Sequence, residues 1–259
     1  MNKYNQVRLE GGRGRRKNRN YNIYLSTNFY SKNKMLSLII GAGEVGTALF
    51  ETLRDKYEVY LFDKGFDSIG RVGVLHICFP YSKDFNKEVK RYLKLVRPKY
   101  AIIHSTVPVG TSRSLNCYHS PIRGMHPDIV KGLKTFPKYL APKNNFLKRY
   151  FDKVGIKIVE AAKPETTEYL KIMDTTQYGL NIIIEKIMHR YCLENGLDFE
   201  IAYTHANKTY NEGYRKLGKS NVQRPVLKHV DGKIGGHCII NNCDLLDSPL
   251  TKFLKKQNK

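Results

Sequence analysis

Between Met35 and Asp63 the apolar positions form two short continuous runs with a helical repeat between them. Met35 to Ile40 reads as a buried strand, the residues from Glu44 onward carry apolar side chains at helical spacing, and a second apolar run closes on Asp63. The pattern continues in the same rhythm. Val72 to Phe79 is a third apolar run, ended by Pro80, and reads as a buried strand. Asp84 then stands where a helix N-cap belongs, ahead of Phe85, Val89, Tyr92, Leu93 and Val96 on one helical face, and the spacing stops before Pro98. Tyr100 to His104 reads as a fourth strand.

Strand alternating with helix at this interval predicts an α/β fold with a parallel, doubly wound sheet, which takes ligands at the carboxyl ends of its strands. Ser120 to Pro127 reads as a loop or short strand, and Gly155 to Ala161 as a late strand of the same sheet. At Pro164 the period changes to a helical one that lasts to about Asn195, with proline suited to the first turn and Gly196 just past the end. Tyr169, Ile172, Ile183, Ile187 and Tyr191 recur along it at near-helical spacing. A helix of about 30 residues spans roughly 45 Å, enough to form a spine for a second subunit, so a homodimer through this helix is expected. From Leu197 the chain looks helical to about Tyr214 and then loop-rich around Gly218, Pro225 and Gly232. The expected organisation is a basic arm over 1–34, mostly disordered with local packing of Tyr21 to Tyr30, a Rossmann-type domain over 35–162, and a helical and loop-rich region over 163–259.

The turn between the first strand and helix is Gly41-Ala42-Gly43-Glu44-Val45-Gly46. Gly41 lets the chain leave the strand tightly, Gly43 removes a side chain where a pyrophosphate approaches the backbone, and Gly46 lets the helix pack close to the sheet. The phosphates would sit on the amides of the first helical turn, including those of Glu44 and Val45. Asp63 lies about 20 residues on, where an acid accepts hydrogen bonds from the ribose hydroxyls and its charge repels a 2′-phosphate. The expected cofactor is NAD rather than NADP, a preference that the neighbouring Lys64 moderates.

Composition narrows the setting. No run of about 18 uncharged apolar residues and no apolar export signal is present, so neither a membrane span nor secretion is indicated and a cytoplasmic protein is expected. The five cysteines, Cys78, Cys117, Cys192, Cys238 and Cys243, are odd in number and scattered, which suits reduced thiols better than disulfides. His237, Cys238 and Cys243 match no familiar zinc spacing, so no metal is expected. A net charge of +22 attracts anions, and much of it lies in the arm, at Arg13, Arg15, Arg16, Lys17 and Arg19. The arm could touch nucleic-acid phosphates, but no recognisable nucleic-acid module follows it, and a solvated leader is the favoured reading.

Three stretches, in order, resemble the UDP-glucose/GDP-mannose dehydrogenase family, the nucleotide-sugar 6-dehydrogenases. Ser105-Thr106-Val107-Pro108-Val109-Gly110-Thr111 is similar to the family's loop near the nicotinamide; Glu168-Tyr169-Leu170-Lys171, running on to Leu180-Asn181-Ile182, is similar to its lysine-bearing central helix; Gly235-Gly236-His237-Cys238-Ile239 is similar to the segment around its nucleophilic cysteine. The resemblance covers most of Met35 to Leu246, and the family would continue into a C-terminal domain that helps hold the nucleotide.

The resemblance implies oxidation of the primary alcohol of a UDP- or GDP-sugar to a carboxylate with two NAD, in the preparation of polysaccharide precursors. Cys238 would attack the intermediate aldehyde, and the thiohemiacetal would become a thioester that water releases. Lys171 would stabilise the developing oxyanion. Ser105 and Thr106 would lie at the cofactor, with Thr106 orienting a water or substrate hydroxyl. His237 is adjacent in sequence to Cys238, and adjacent side chains point apart, so it is not assigned as the base. Two positions depart from the family. Ile122 stands where the family usually has a glutamate, and Thr175 where it usually has an asparagine; Asp174 and Glu168 are the nearby carboxylates that could compensate. The departures leave two alternatives to the double oxidation: a dinucleotide-binding protein with impaired catalysis, and a 3-hydroxyacid or 6-phosphogluconate type dehydrogenase, which needs a lysine and no cysteine.

Overall fold

The computed structural model describes residues 23–25, 35–63, 70–124, 128–235 and 238–258. The chain divides into two compact units, Met1–Leu170 and Lys171–Lys259. Most of the basic arm, Lys64, Met125 to Pro127, and Gly236 with His237 lie outside the described residues.

In the first unit, β1 (Ile23–Leu25), β2 (Leu36–Ile40), α1 (Glu44–Leu53), β3 (Glu58–Phe62), β4 (Val74–Ile77), α2 (Phe85–Val96), β5 (Tyr100–Ile103), α3 (Thr111–Ser114) and β6 (Tyr118–His119) follow one another. They are succeeded by α4 (Ile129–Thr135), β7 (Lys138–Leu140), α5 (Asn145–Asp152) and β8 (Ile158–Glu160). The main sheet has the order β1-β3-β2-β4-β5-β6, with β3, β2, β4, β5 and β6 parallel and β1 antiparallel on the β3 edge. This is the doubly wound α/β architecture that the alternating pattern predicts. The strands read as continuous apolar runs because both faces are covered. Ile39, Val74 and Ile102 pack with α1, α4 and α5, through Leu49, Leu53, Leu133, Leu147 and Phe151. Leu38, Ile40, Leu75, Ile77 and Ile103 face Phe85, Val89, Tyr92 and Val96 of α2. Each such side chain, fully buried, contributes about 1.5–3 kcal/mol.

Two expectations need correction. The segment Gly155 to Ala161 does not add to the main sheet: β8 pairs with β7 in a separate two-stranded parallel sheet. A short apolar run carries no information about its pairing partner, and β7 was not anticipated. Within the arm, Ile23–Leu25 pairs with Tyr60–Phe62, so the sheet begins before Met35. Asp84 holds the N-cap position of α2 as expected, without a side-chain capping bond. Over 120–124 the chain is loop, one of the two readings given for Ser120 to Pro127, and a two-residue strand, Tyr118–His119, lies just before it.

The long helix α6 (Pro164–Glu194) matches its expected bounds within a residue, and Gly196 takes the left-handed conformation just beyond it, φ +64°. The second unit continues with a π-helical segment (Glu200–His205), α7 (Ala206–Lys216), α8 (Ile239–Cys243) and α9 (Pro249–Gln257). Along α6, Ile172 and Ile183 are buried, whereas Tyr169, Ile187 and Tyr191 are exposed. Among the described residues no helix is long and apolar enough to cross a membrane.

Candidate functional site

Because β2, β3, β4 and β5 are parallel, the residues that follow them, Gly41, Asp63, Cys78 and His104-Ser105-Thr106, emerge at one edge of the sheet. The chain goes from β2 to β3 on one side and returns to β4 on the other. The strand order therefore reverses between β2 and β4, and open α/β sheets take ligands in the crevice at that point.

The glycine turn lies there. Gly41 has φ +108°, and a Cβ on it would come within 2.7 Å of Phe79 N and 2.8 Å of the Cys78 carbonyl carbon. A Cβ on Gly46 would lie 1.8 Å from Gly41 O. Gly43, the N-cap of α1, differs: a Cβ there would meet nothing within 4 Å. Gly41 and Gly46 are thus required by the protein's own backbone, whereas Gly43 faces open space. The first intrahelical bond is Thr47 N–H to Gly43 O, at 2.9 Å. Glu44, Val45 and Gly46 precede it in the first turn of α1, and the N-terminal turn of a helix is where a pyrophosphate is held. The turn fits a dinucleotide. Asp63 is exposed directly after β3.

The loop after β5 is fixed from several sides. Ser105 Oγ donates to Phe79 O at 2.6 Å, and His119 Nε2 to Ser105 O at 3.2 Å. Thr111 Oγ1 donates to Pro108 O at 2.7 Å. Glu168, fully buried on α6, accepts from Gly110 N–H at 2.6 Å and Ser112 N–H at 2.7 Å. Glu168 is therefore committed to holding this loop and does not supply the carboxylate absent at position 122. Ile122 itself is buried in the apolar cluster with Ile129 and Leu133. Thr106 is half-buried in the clamped loop.

Behind that edge runs a buried polar chain that sequence reading did not find. Ser37 Oγ and Tyr150 Oη are 2.9 Å apart, Tyr150 Oη and His76 Nε2 3.1 Å, His76 Nδ1 and His104 Nε2 2.9 Å, and His104 Nδ1 and Ser120 O 2.7 Å. The Ser120 carbonyl only accepts, so His104 carries its hydrogen on Nδ1; His76 must then donate from Nδ1, and Tyr150 donates to His76. Lys138, also buried, donates from Nζ to the carbonyls of Ser120 and Pro121. Burial first, and the Lys138 charge second, push His76 down to about 3. Burial likewise brings His119 to about 3, against the opposing bond to Ser105 O, and holds His104 well below the ordinary value. Cys78, at the same edge, has its thiol pushed up to about 12 by burial, with Lys138 opposing, so it does not offer a thiolate.

Lys171 and Cys238 belong to the second unit. Lys171 is half-buried on α6. Cys238 is a free, exposed thiol at the N-cap of α8. The elements bearing them are tied together: Asn242, one turn beyond Cys238, donates from Nδ2 to Thr175 Oγ1 at 3.2 Å, and Thr175 lies one turn beyond Lys171. Thr175 also returns its hydroxyl to Ile172 O at 2.9 Å. Gly179 allows the close approach, since a Cβ there would lie 2.7 Å from Ile239 Cγ2 and from Leu254 Cδ2. Helix α9 was missed in the sequence although its signal is present: Ser248 and Thr251 form a capping box around Pro249.

No protein-family model and no curated protein matches the sequence. Solved structures show the fold. The chain is similar to a UDP-D-ManNAc dehydrogenase from Pyrococcus horikoshii, with a TM-score of 0.64 and 17% identity over 86% of this chain and 68% of that one. It is similar to a UDP-glucose dehydrogenase from the archaeon Pyrobaculum islandicum, with a TM-score of 0.67 and 12% identity over 87% of this chain and 68% of that one. It is also similar to the 3-hydroxyisobutyrate dehydrogenase of Mycobacterium tuberculosis, with a TM-score of 0.63 and 15% identity over 86% of this chain and 92% of that one.

Proposed function

We propose that this chain is a nicotinamide-dependent dehydrogenase that oxidises the primary alcohol of a nucleotide sugar to the carboxylate. The observation that carries the reading is the glycine turn at the switch point, where Gly41 and Gly46 are closed by backbone and Gly43 faces open space. Glu44, Val45 and Gly46 hold the pyrophosphate by their amides and Asp63 the ribose, with NAD preferred over NADP because a carboxylate repels a 2′-phosphate. When bound, the nicotinamide accepts hydride from the substrate carbon.

The other tasks fall to the chain's own residues. Ser105 and Thr106 sit on the clamped loop at the cofactor edge. Lys171 places an ammonium against the oxygen that gains negative charge. The Cys238 thiolate would bond to the carbonyl carbon of the aldehyde; loss of a second hydride to a second nicotinamide would turn that thiohemiacetal into a thioester, and water would then displace the thiolate to release the acid. The similarity to two nucleotide-sugar dehydrogenases supports this substrate class. A homodimer through α6 is part of the proposal, supported by exposed Ile184, Ile187 and Tyr191 at helical spacing on the helix.

A second reading is favoured by one finding. The chain spans 92% of the 3-hydroxyisobutyrate dehydrogenase it resembles, which suits a small hydroxyacid substrate and an inert Cys238. Turnover of UDP-sugars, GDP-sugars and 3-hydroxyacids, each followed by NADH formation, separates the two. Cys238→Ser abolishes acid release in the first case and leaves turnover intact in the second. NAD binding without turnover of either class would leave a binding protein, in line with Ile122 and Thr175.

A further inference from the structure

The end of the sheet opposite the glycine turn carries a second concavity, of about 660 Å³, lined by Arg71, Arg97, Lys99, Tyr100, Asn116 and Tyr118 among others. Two backbone bonds assemble its cations. Val72 N–H donates to Val96 O at 3.2 Å and Lys99 N–H to Val72 O at 3.1 Å, which sets Arg71 beside the Arg97–Lys99 segment where the strands β4 and β5 begin. No carboxylate lines the concavity, and among the described residues none pairs with Arg71, Arg97 or Lys99.

Arg97 is also held in an unusual conformation. It caps α2 in the left-handed region, φ 40° and ψ 60°, where Pro98 disfavours continuing the helix and glycine is the residue that fits without cost. A long cationic side chain kept at a position suited to glycine points to a use for the side chain. Asn116, which also lines the concavity, is left-handed as well, φ 52°.

We infer that this concavity is a binding site for a small anion carrying two or more phosphate groups, separate from the dinucleotide turn at the other edge of the same sheet. Its volume lies within the range of small-molecule sites, roughly 300–1,000 Å³. Two guanidinium groups supply paired donors that match phosphate oxygens, and Lys99 adds a point charge. The inference is independent of the proposed dehydrogenase activity.

The test is calorimetric titration of the whole chain with inorganic tripolyphosphate, with and without saturating NAD. One site is expected, unchanged by NAD and weakened at least tenfold in Arg71→Ala/Arg97→Gly. Because glycine suits position 97, that variant is expected to keep its melting temperature within a few degrees. Lys87→Ala/Lys90→Ala removes the same charge from the exposed face of α2 and is expected to bind as the unaltered chain does. Equal weakening in both double variants would mean diffuse attraction to a basic protein and would overturn the site. So would absence of binding, or displacement of tripolyphosphate by NAD, which would move the contact to the glycine turn.

Discussion

The carboxylate of Glu168 closes on the backbone amide of Gly110 at 2.6 Å, and its other oxygen takes the amide of Ser112. One buried side chain from the start of α6 thereby fixes the loop that carries Ser105 and Thr106. Glu168→Ala leaves two amides without their acceptor, a loss of about 2–5 kcal/mol. Hydrogen exchange should show it locally, with Gly110 and Ser112 losing protection well before the strands of the sheet. Protection unchanged at both amides would contradict the clamp.

The glycine turn makes a paired prediction. Gly46→Ala drives a Cβ into the Gly41 carbonyl and should cost more than about 2 kcal/mol of stability, read by denaturant unfolding. Gly43→Ala meets no protein atom, so unfolding should barely change while NAD affinity falls tenfold or more. Loss of stability in both variants, or loss of affinity in neither, would show that the open space at Gly43 is not where a pyrophosphate lies.

Acid sensitivity follows from the buried histidines. In the unfolded chain a histidine takes up a proton near its ordinary value of about 6.5. Folded, His76 and His119 do so only near 3, and His104 also well below the ordinary value. Below 6.5 the unfolded state binds more protons, so stability is full above that pH and is lost as pH falls toward 3. The slope is about 1.4 kcal/mol per pH unit for each histidine. Denaturation midpoints at pH 7.5, 6 and 5 should fall steeply, and less so in His76→Gln. A flat profile would mean that these rings are not held neutral.

Much of the first unit was legible in the sequence because its strands are continuous apolar runs and its first turn needs glycine at fixed offsets. The bounds of α6 were legible for the same kind of reason, with Pro164 at the first turn and Gly196 in the left-handed conformation after the last. What escaped were matters of pairing. Gly155 to Ala161 looks like any short strand, and only the structure shows β8 beside β7 rather than on the main sheet. The Tyr150–His76–His104 chain joins residues scattered over the sequence, so no local pattern marks it. Glu168 looked like a spare carboxylate, since a sequence does not show which amides a side chain meets.

Oxidation of a nucleotide sugar at a dinucleotide site is tested by counting the NADH formed per sugar consumed. With a UDP- or GDP-sugar that turns over, two NADH are expected for each acid formed, and no acid from Cys238→Ser. Absence of NADH with every nucleotide sugar, in a chain that binds NAD, would contradict it.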